Sequence, residues 1–176
     1  MQTNVFRIVP SSLRQRAKNY LDTMRLKRID DLKTFADAKS VYGNHLGAAL
    51  EYREASVRAY KMKAARKGFE LLRYASESFE DYAKDLEYRA NNYSENDKER
   101  ITLLVDVMGS YVESLHMTNL MNDSQFELKE RRLLRKAKSV RDTINILLLY
   151  TSPRRTYFSR AESVIAIDAY SKFIRT

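Results

Sequence analysis

Apolar residues recur at helical intervals along most of the chain. The most continuous run lies between Asn44 and Tyr93, about fifty residues without proline. There Leu46, Leu50, Val57, Tyr60, Ala64, Leu71, Ala75, Phe79, Tyr82 and Leu86 follow one another in steps of three, four or seven. That spacing marks a single buried stripe on a helix. At about 1.5 Å per residue, one unbroken helix of this length spans roughly 70 Å. The pattern predicts an elongated protein built around one long helix, or a helix broken near Gly68.

The flanking segments carry shorter stripes. Pro10-Ser11-Ser12 reads as a helix start. From there Leu13, Ala17, Tyr20 or Leu21, Met24, Leu32, Phe35 and Ala38 trace a face to about Val41. Tyr42 to Gly47, with two glycines around Asn44, suits a helix C-cap and turn. Asn91-Asn92-Tyr93-Ser94 ends the long stretch, and Ser94 with Asp97 resembles a capping arrangement. A further helix then carries Ile101, Leu104, Met108, Tyr111 or Val112 and Leu115, and Asn119 to Asp123 closes it. Ser124 with Glu127 is a capping-box pattern that opens a helix with Phe126, Leu133, Ala137, Val140, Ile144 and Leu147 on one face. Thr151-Ser152-Pro153 breaks the chain. Ser159 with Glu162 repeats the capping pattern before a last segment, Val164 to Ile174. The fold class expected is all-α: an elongated helical bundle of four to five helices in a single domain, 1–176. Residues 1–10 form a basic N-terminal extension, and 153–176 a C-terminal segment able to pack separately.

Composition sharpens this picture. Only two prolines occur, Pro10 and Pro153, so turns between them are few and helices long. Cysteine is absent, which excludes disulfides and thiolate chemistry. The longest purely apolar run, Ile146 to Tyr150, falls far short of the ~20 residues that span a bilayer. No transmembrane segment is expected, and the chain reads as intracellular, soluble or peripheral. Thirty-two basic against 23 acidic residues give a net charge of +9, which favours polyanionic partners. Residues 1–28 carry Arg7, Arg14, Arg16, Lys18, Arg25, Lys27 and Arg28 against Asp22 alone. Such an acid-poor opening resembles an organelle transit peptide of the mitochondrial type, and equally a basic amphipathic first helix.

Candidate chemistry is sparse. Glu113-Ser-Leu-His116 has the Glu-x-x-His spacing of di-iron bundles, but the chain's other histidine, His45, has Tyr42 three residues before it. No nucleophile elbow, phosphate-cradling glycine loop or dinucleotide fingerprint occurs. No catalytic residue, metal site or cofactor is expected, and the chain reads as non-enzymatic.

Charge and tyrosine are the stronger signals. Arg58, Lys61, Lys63, Arg66 and Lys67 form a block free of acids, followed by Glu77, Glu80, Asp81, Asp85 and Glu87 against Lys84. The blocks are either solvated faces or complementary halves of neighbouring antiparallel subunits, where charge would set orientation and register. Tyr42, Tyr52, Tyr74, Tyr88 and Tyr93 fall off the main stripe, and tyrosine suits half-wet contacts. A subunit interface is therefore expected at Tyr52, Tyr74, Tyr88, Tyr93, Arg58, Lys61, Lys63, Glu77 and Asp81. Arg131, Arg132, Arg135, Lys136 and Lys138 lie opposite an apolar face. That is the footprint of a binder of nucleic-acid backbone or anionic lipid.

Asp31-Leu32-Lys33, Phe35, Ala38 and Tyr42, followed by Phe69-Glu70-Leu71-Leu72, resemble the spacing in BAR domains. The resemblance implies a crescent-shaped helical dimer on curved anionic membranes. It also implies three long antiparallel helices, whereas the pattern after Ser94 breaks into shorter ones. The function expected first is a non-enzymatic structural, assembly or adaptor subunit of a homo- or hetero-oligomeric complex, acting through helix-face packing of the coiled-coil kind and charge-complementary contacts. The alternative is a polyanion-binding module.

Overall fold

The computed structural model describes residues 11–94 and 98–150, with side chains to 148. Among them the chain forms five α-helices and no strand: α1 (Ser11–Val41), α2 (His45–Lys61), α3 (Ala65–Ala90), α4 (Lys98–Met121) and α5 (Glu127–Tyr150). A 3-10 turn, Ser124–Phe126, precedes α5. The helices pack on one another as an all-α bundle, as the periodicity predicts.

The fifty-residue stretch is not one helix but takes the alternative its pattern allowed, a break near Gly68. It is a hairpin of α2 and α3, broken at Met62-Lys63-Ala64, shortly before that glycine. Lys63 adopts φ 60, a left-handed conformation uncommon for lysine. The turn is closed by Lys63 N–H donating to Tyr60 O at 2.9 Å and Ala64 N–H to Ala59 O at 2.9 Å. Gly68 serves the hairpin differently. A Cβ there would stand 2.8 Å from Tyr60 Cε2, so the missing side chain lets the Tyr60 ring lie against α3.

Cross-contacts show an up-and-down array in which each helix packs chiefly on its neighbours in sequence. Lys39 pairs with Glu51 at 2.7 Å, which sets α1 antiparallel to α2. The Tyr52 and Tyr74 rings lie 5.4 Å apart across the hairpin. Ser76 meets Ser114 and Thr118 between α3 and α4, and Lys136 meets Tyr111 between α5 and α4. α3 reaches furthest: Lys67 pairs with Asp30 of α1, and Glu80 with Arg132 of α5 at 2.7 Å.

Two apolar clusters result, and α3 and α4 belong to both. One joins Ile29 and Ala36 of α1, the alanine face of α2, Leu71, Ala75 and Phe79 of α3, and Met117 and Met121 of α4. The other joins Ala83 and Leu86 of α3 with the first half of α4 and with Leu133, Ala137, Val140, Ile144 and Leu147 of α5. The stripes read for α4 and α5 are buried there as predicted, except Phe126, which lies half-buried in the 3-10 turn against the first cluster.

Two stripes face the other way. α2 buries Ala48, Tyr52, Ala55 and Ala59 and exposes Leu46, Leu50, Val57 and Tyr60. Both sets have helical spacing; the small one wins because α2 lies between α1 and α3, where alanine permits close approach of the helix axes. α1 buries Ile29 and Ala36 and leaves Leu13, Tyr20, Leu21, Met24 and Phe35 exposed.

The turns largely follow the sequence. Gly43 takes φ 74 after α1, and Asn44 caps α2 by accepting from Gly47 N–H at 3.0 Å. Before α5 the cap is Asp123, which accepts from Gln125 N–H at 3.0 Å, while Ser124 enters the 3-10 turn. The Ser94–Asp97 pair, the 1–10 extension, the Ser159–Glu162 pair and the 153–176 segment fall wholly or partly outside the described residues.

Candidate interaction surfaces

The basic face of α5 is divided by its packing. Arg132 donates to Glu80, whose carboxylate is almost fully buried, at 2.7 Å. Lys136 Nζ donates to the Tyr111 hydroxyl at 2.9 Å and sits 4.8 Å over that ring. Both are tied to groups of neighbouring helices, although about half of the Arg132 side chain stays in solvent. Lys129 is also partly covered, and burial lowers its ammonium below the ordinary lysine value. Arg131, Arg135 and Lys138 point outward, with Arg131 3.6 Å from Glu127 one turn earlier.

The tyrosines divide likewise. Tyr52 is 5% exposed and donates to Asp37 at 2.6 Å, so its place is within the fold rather than at a subunit surface. Burial, reinforced by Asp37, pushes its hydroxyl far above the ordinary phenol value. Burial also raises the Asp37 carboxyl, but hydrogen bonds from Tyr52 and Lys33 outweigh it and hold Asp37 below the usual value. Tyr74 lies against Tyr52, with Lys33 5.3 Å and Arg73 5.1 Å from its ring centroid. Together these side chains lock α1, α2 and α3. Tyr88 is 72% exposed near the end of α3, and Tyr93 lies at the surface beyond it.

The charge blocks meet partners within the chain. Arg58 pairs with Glu54, Glu77 stands 3.9 Å from Arg73, and Asp81 pairs with Lys84 at 2.7 Å. Asp85 faces His45 at 3.6 Å. Lys61 and Lys63 remain exposed at the hairpin turn.

A surface the sequence reading did not single out lies on α1. Arg25, Arg28 and Ile29 line a groove of about 590 Å³ with Val57, Lys61 and Met62, so α2 ends beside this part of α1. The preceding turns of α1 therefore run past the hairpin, and from Ser11 to Arg28 every residue but Asp22 is exposed. Leu13, Ala17, Tyr20, Leu21, Met24, Phe35 and Ala38, continued by Tyr42, form one stripe. At 100° per residue it lies on the side away from Ile29 and Ala36, which hold α1 to the bundle. The clue was available: apart from Leu32, which is half-buried against the core, the positions read as a stripe on α1 are those exposed here, and their direction was missing.

No family model, curated protein or solved structure matches the chain. Against the BAR-domain resemblance, the described helices run from 17 to 31 residues in a five-membered array rather than as three long ones. Among the described residues no group of three or more His, Asp or Glu side chains is arranged to hold a metal, and Glu113 faces Arg53 at 3.4 Å. No described helix is long and apolar enough to cross a membrane.

Proposed function

We propose that this chain is a non-enzymatic assembly or adaptor subunit that works by packing an exposed helix face against protein partners. The observation that carries the reading is the apolar stripe of α1, which no described residue covers. An isolated helix of the overhanging length is marginal in water. A partner that covers the stripe both removes apolar area from water and stabilises the helix. The test follows a tagged full-length chain through gel filtration of native extract. The expected elution is well above the 20.7 kDa monomer, shifting down for the Met24→Ser/Phe35→Ser variant. Elution of the unaltered chain as a monomer would overturn the reading.

A second reading rests on the outward trio Arg131, Arg135 and Lys138. It predicts binding to nucleic acid or anionic vesicles that weakens steeply with salt and disappears when all three become glutamate. Binding that survives the triple change would place any polyanion site elsewhere.

A further inference from the structure

We infer that the groove between α1 and the end of α2 is a docking site for an acidic amphipathic helix of a protein partner, which sets apolar side chains on the groove floor and carboxylates against cations on both walls. The groove lies on the opposite side of α1 from the outward stripe. The inference therefore goes beyond the assembly reading and adds a second surface.

Charge identifies the occupant. Arg25 and Arg28 of α1 and Arg58 and Lys61 of α2 line the groove, against the single carboxylate of Glu54. Glu54 is already paired with Arg58 one turn on, and Arg25 stands 3.4 Å from Asp22. Arg28 and Lys61, one on each wall, are exposed and have no acidic partner among the described residues. Both walls thus present positive charge to whatever enters between them, and an acidic segment is steered there. The same sign continues past the groove. α2 ends at Lys61, whereas α1 runs on toward Ser11. At 100° per residue Lys18, Asp22 and Arg25 lie within about 40° of Ile29 around α1, and Arg14 about 60° from it. A segment extending beyond the end of α2 would run along a face with three cations and one acid.

Shape separates this occupant from other anions. The floor is apolar and recessed: Ile29 is fully buried, Met62 half-buried and Val57 47% exposed. Cations on both sides of an apolar floor suit one ridge of apolar side chains with acids on both flanks, which an amphipathic helix presents to a groove. The volume of about 590 Å³ is that of a site able to hold a few anchoring side chains. A nucleic-acid backbone supplies anions but nothing apolar, and no aromatic ring lines the groove to stack a base. A flat bilayer does not reach a floor set below its cationic rim. A single-headed amphiphile such as a fatty acid meets one wall and leaves the other unanswered.

The test is fluorescence anisotropy with the full chain at about 0.15 M salt. The probe is a labelled synthetic peptide of about four helical turns, with leucines at i, i+3, i+4 and i+7 and glutamates between them. Its control holds the same residues in an order that forms no apolar face. The ordered peptide is expected to bind at least tenfold more tightly than the control, and Arg28→Glu/Lys61→Glu to weaken it at least tenfold. Val57→Asp should weaken the ordered peptide alone. Arg131→Glu/Arg135→Glu, an equal change of charge on α5, is expected to leave the affinity within about twofold. Circular dichroism verifies that these exposed-site variants stay folded. Absence of binding, equal binding of the two peptides, or equal losses from the groove and α5 exchanges would each overturn the inference. Displacement of the probe by a thymidine oligonucleotide, dodecanoate or phosphatidylserine vesicles at lower concentration than by unlabelled peptide would overturn it too, assigning the groove to that ligand. Failure here is distinguishable from failure of the assembly reading. Monomeric elution of the tagged chain from extract overturns that reading alone, and the Met24→Ser/Phe35→Ser variant should bind the probe as the unaltered chain does.

Discussion

Ser76 sits buried between α3 and α4, its Oγ 2.9 Å from both Ser114 Oγ and Thr118 Oγ1 and 3.0 Å from Ser114 O. Ser114 Oγ donates back to Ser76 O at 2.7 Å, so the polar groups satisfy one another. Ser76→Ala should cost about 1 kcal/mol, read as a lower urea midpoint at unchanged slope. An unchanged midpoint would show that the network adds nothing to stability. These positions were not legible as core, because a stripe drawn from apolar residues alone passes over small hydroxyls that bond locally. Asp37 gives a pH prediction. Its carboxyl titrates lower in the folded than in the unfolded chain, so its contribution is full above the unfolded value and lost as pH falls through the folded one. Below about pH 4, Asp37→Asn protein should therefore lose less stability per pH unit than the unaltered protein, as followed by thermal melts.

At the scale of elements, the α2–α3 hairpin shows what periodicity does and does not fix. The helical character of the whole 44–93 stretch was legible, and so was the α3 stripe. A break near Gly68 was legible too, but its exact place was not, because Met62-Lys63-Ala64 contains neither glycine nor proline, and tertiary packing holds Lys63 in a conformation its type disfavours. Lys63→Gly should therefore stabilise the protein by about 1 kcal/mol, seen as a higher melting temperature. Gly68→Ala should lower it, since the added methyl displaces the Tyr60 ring. A neutral result for Lys63→Gly would mean that the left-handed turn carries no strain. The choice of face on α2 was equally hidden: leucine predicts burial by hydrophobicity, alanine by proximity, and only the presence of helices on both sides decides between them.

For the whole molecule, the bundle leaves the turns of α1 before Arg25 projecting past the hairpin, with Arg14, Arg16 and Lys18 in water. Trypsin should cut first between Arg14 and Arg28. First cleavage within the bundle would argue against a projecting end of this helix. The basic face of α5 was legible as charge but not as chemistry. Composition identifies the cations, whereas Glu80 and Tyr111, which engage Arg132 and Lys136, come from helices distant in sequence. The same limit applies to Tyr52, whose acceptor Asp37 lies on the neighbouring helix. The α1 surface was legible as a stripe, and its outward direction required the bundle.

The membership of α3 and α4 in both apolar clusters has a temporal consequence. Amides of α1 and α5 can exchange with solvent when one end of the array opens, whereas those where the clusters adjoin, around Phe79 to Ala83 of α3 and Leu115 to Met117 of α4, stay protected until both clusters are lost. Hydrogen exchange should then report a gradient rather than one cooperative rate: fastest in the projecting turns of α1, slowest along the α3–α4 pair. The two helices that hold the ends together would be the last to forget the fold.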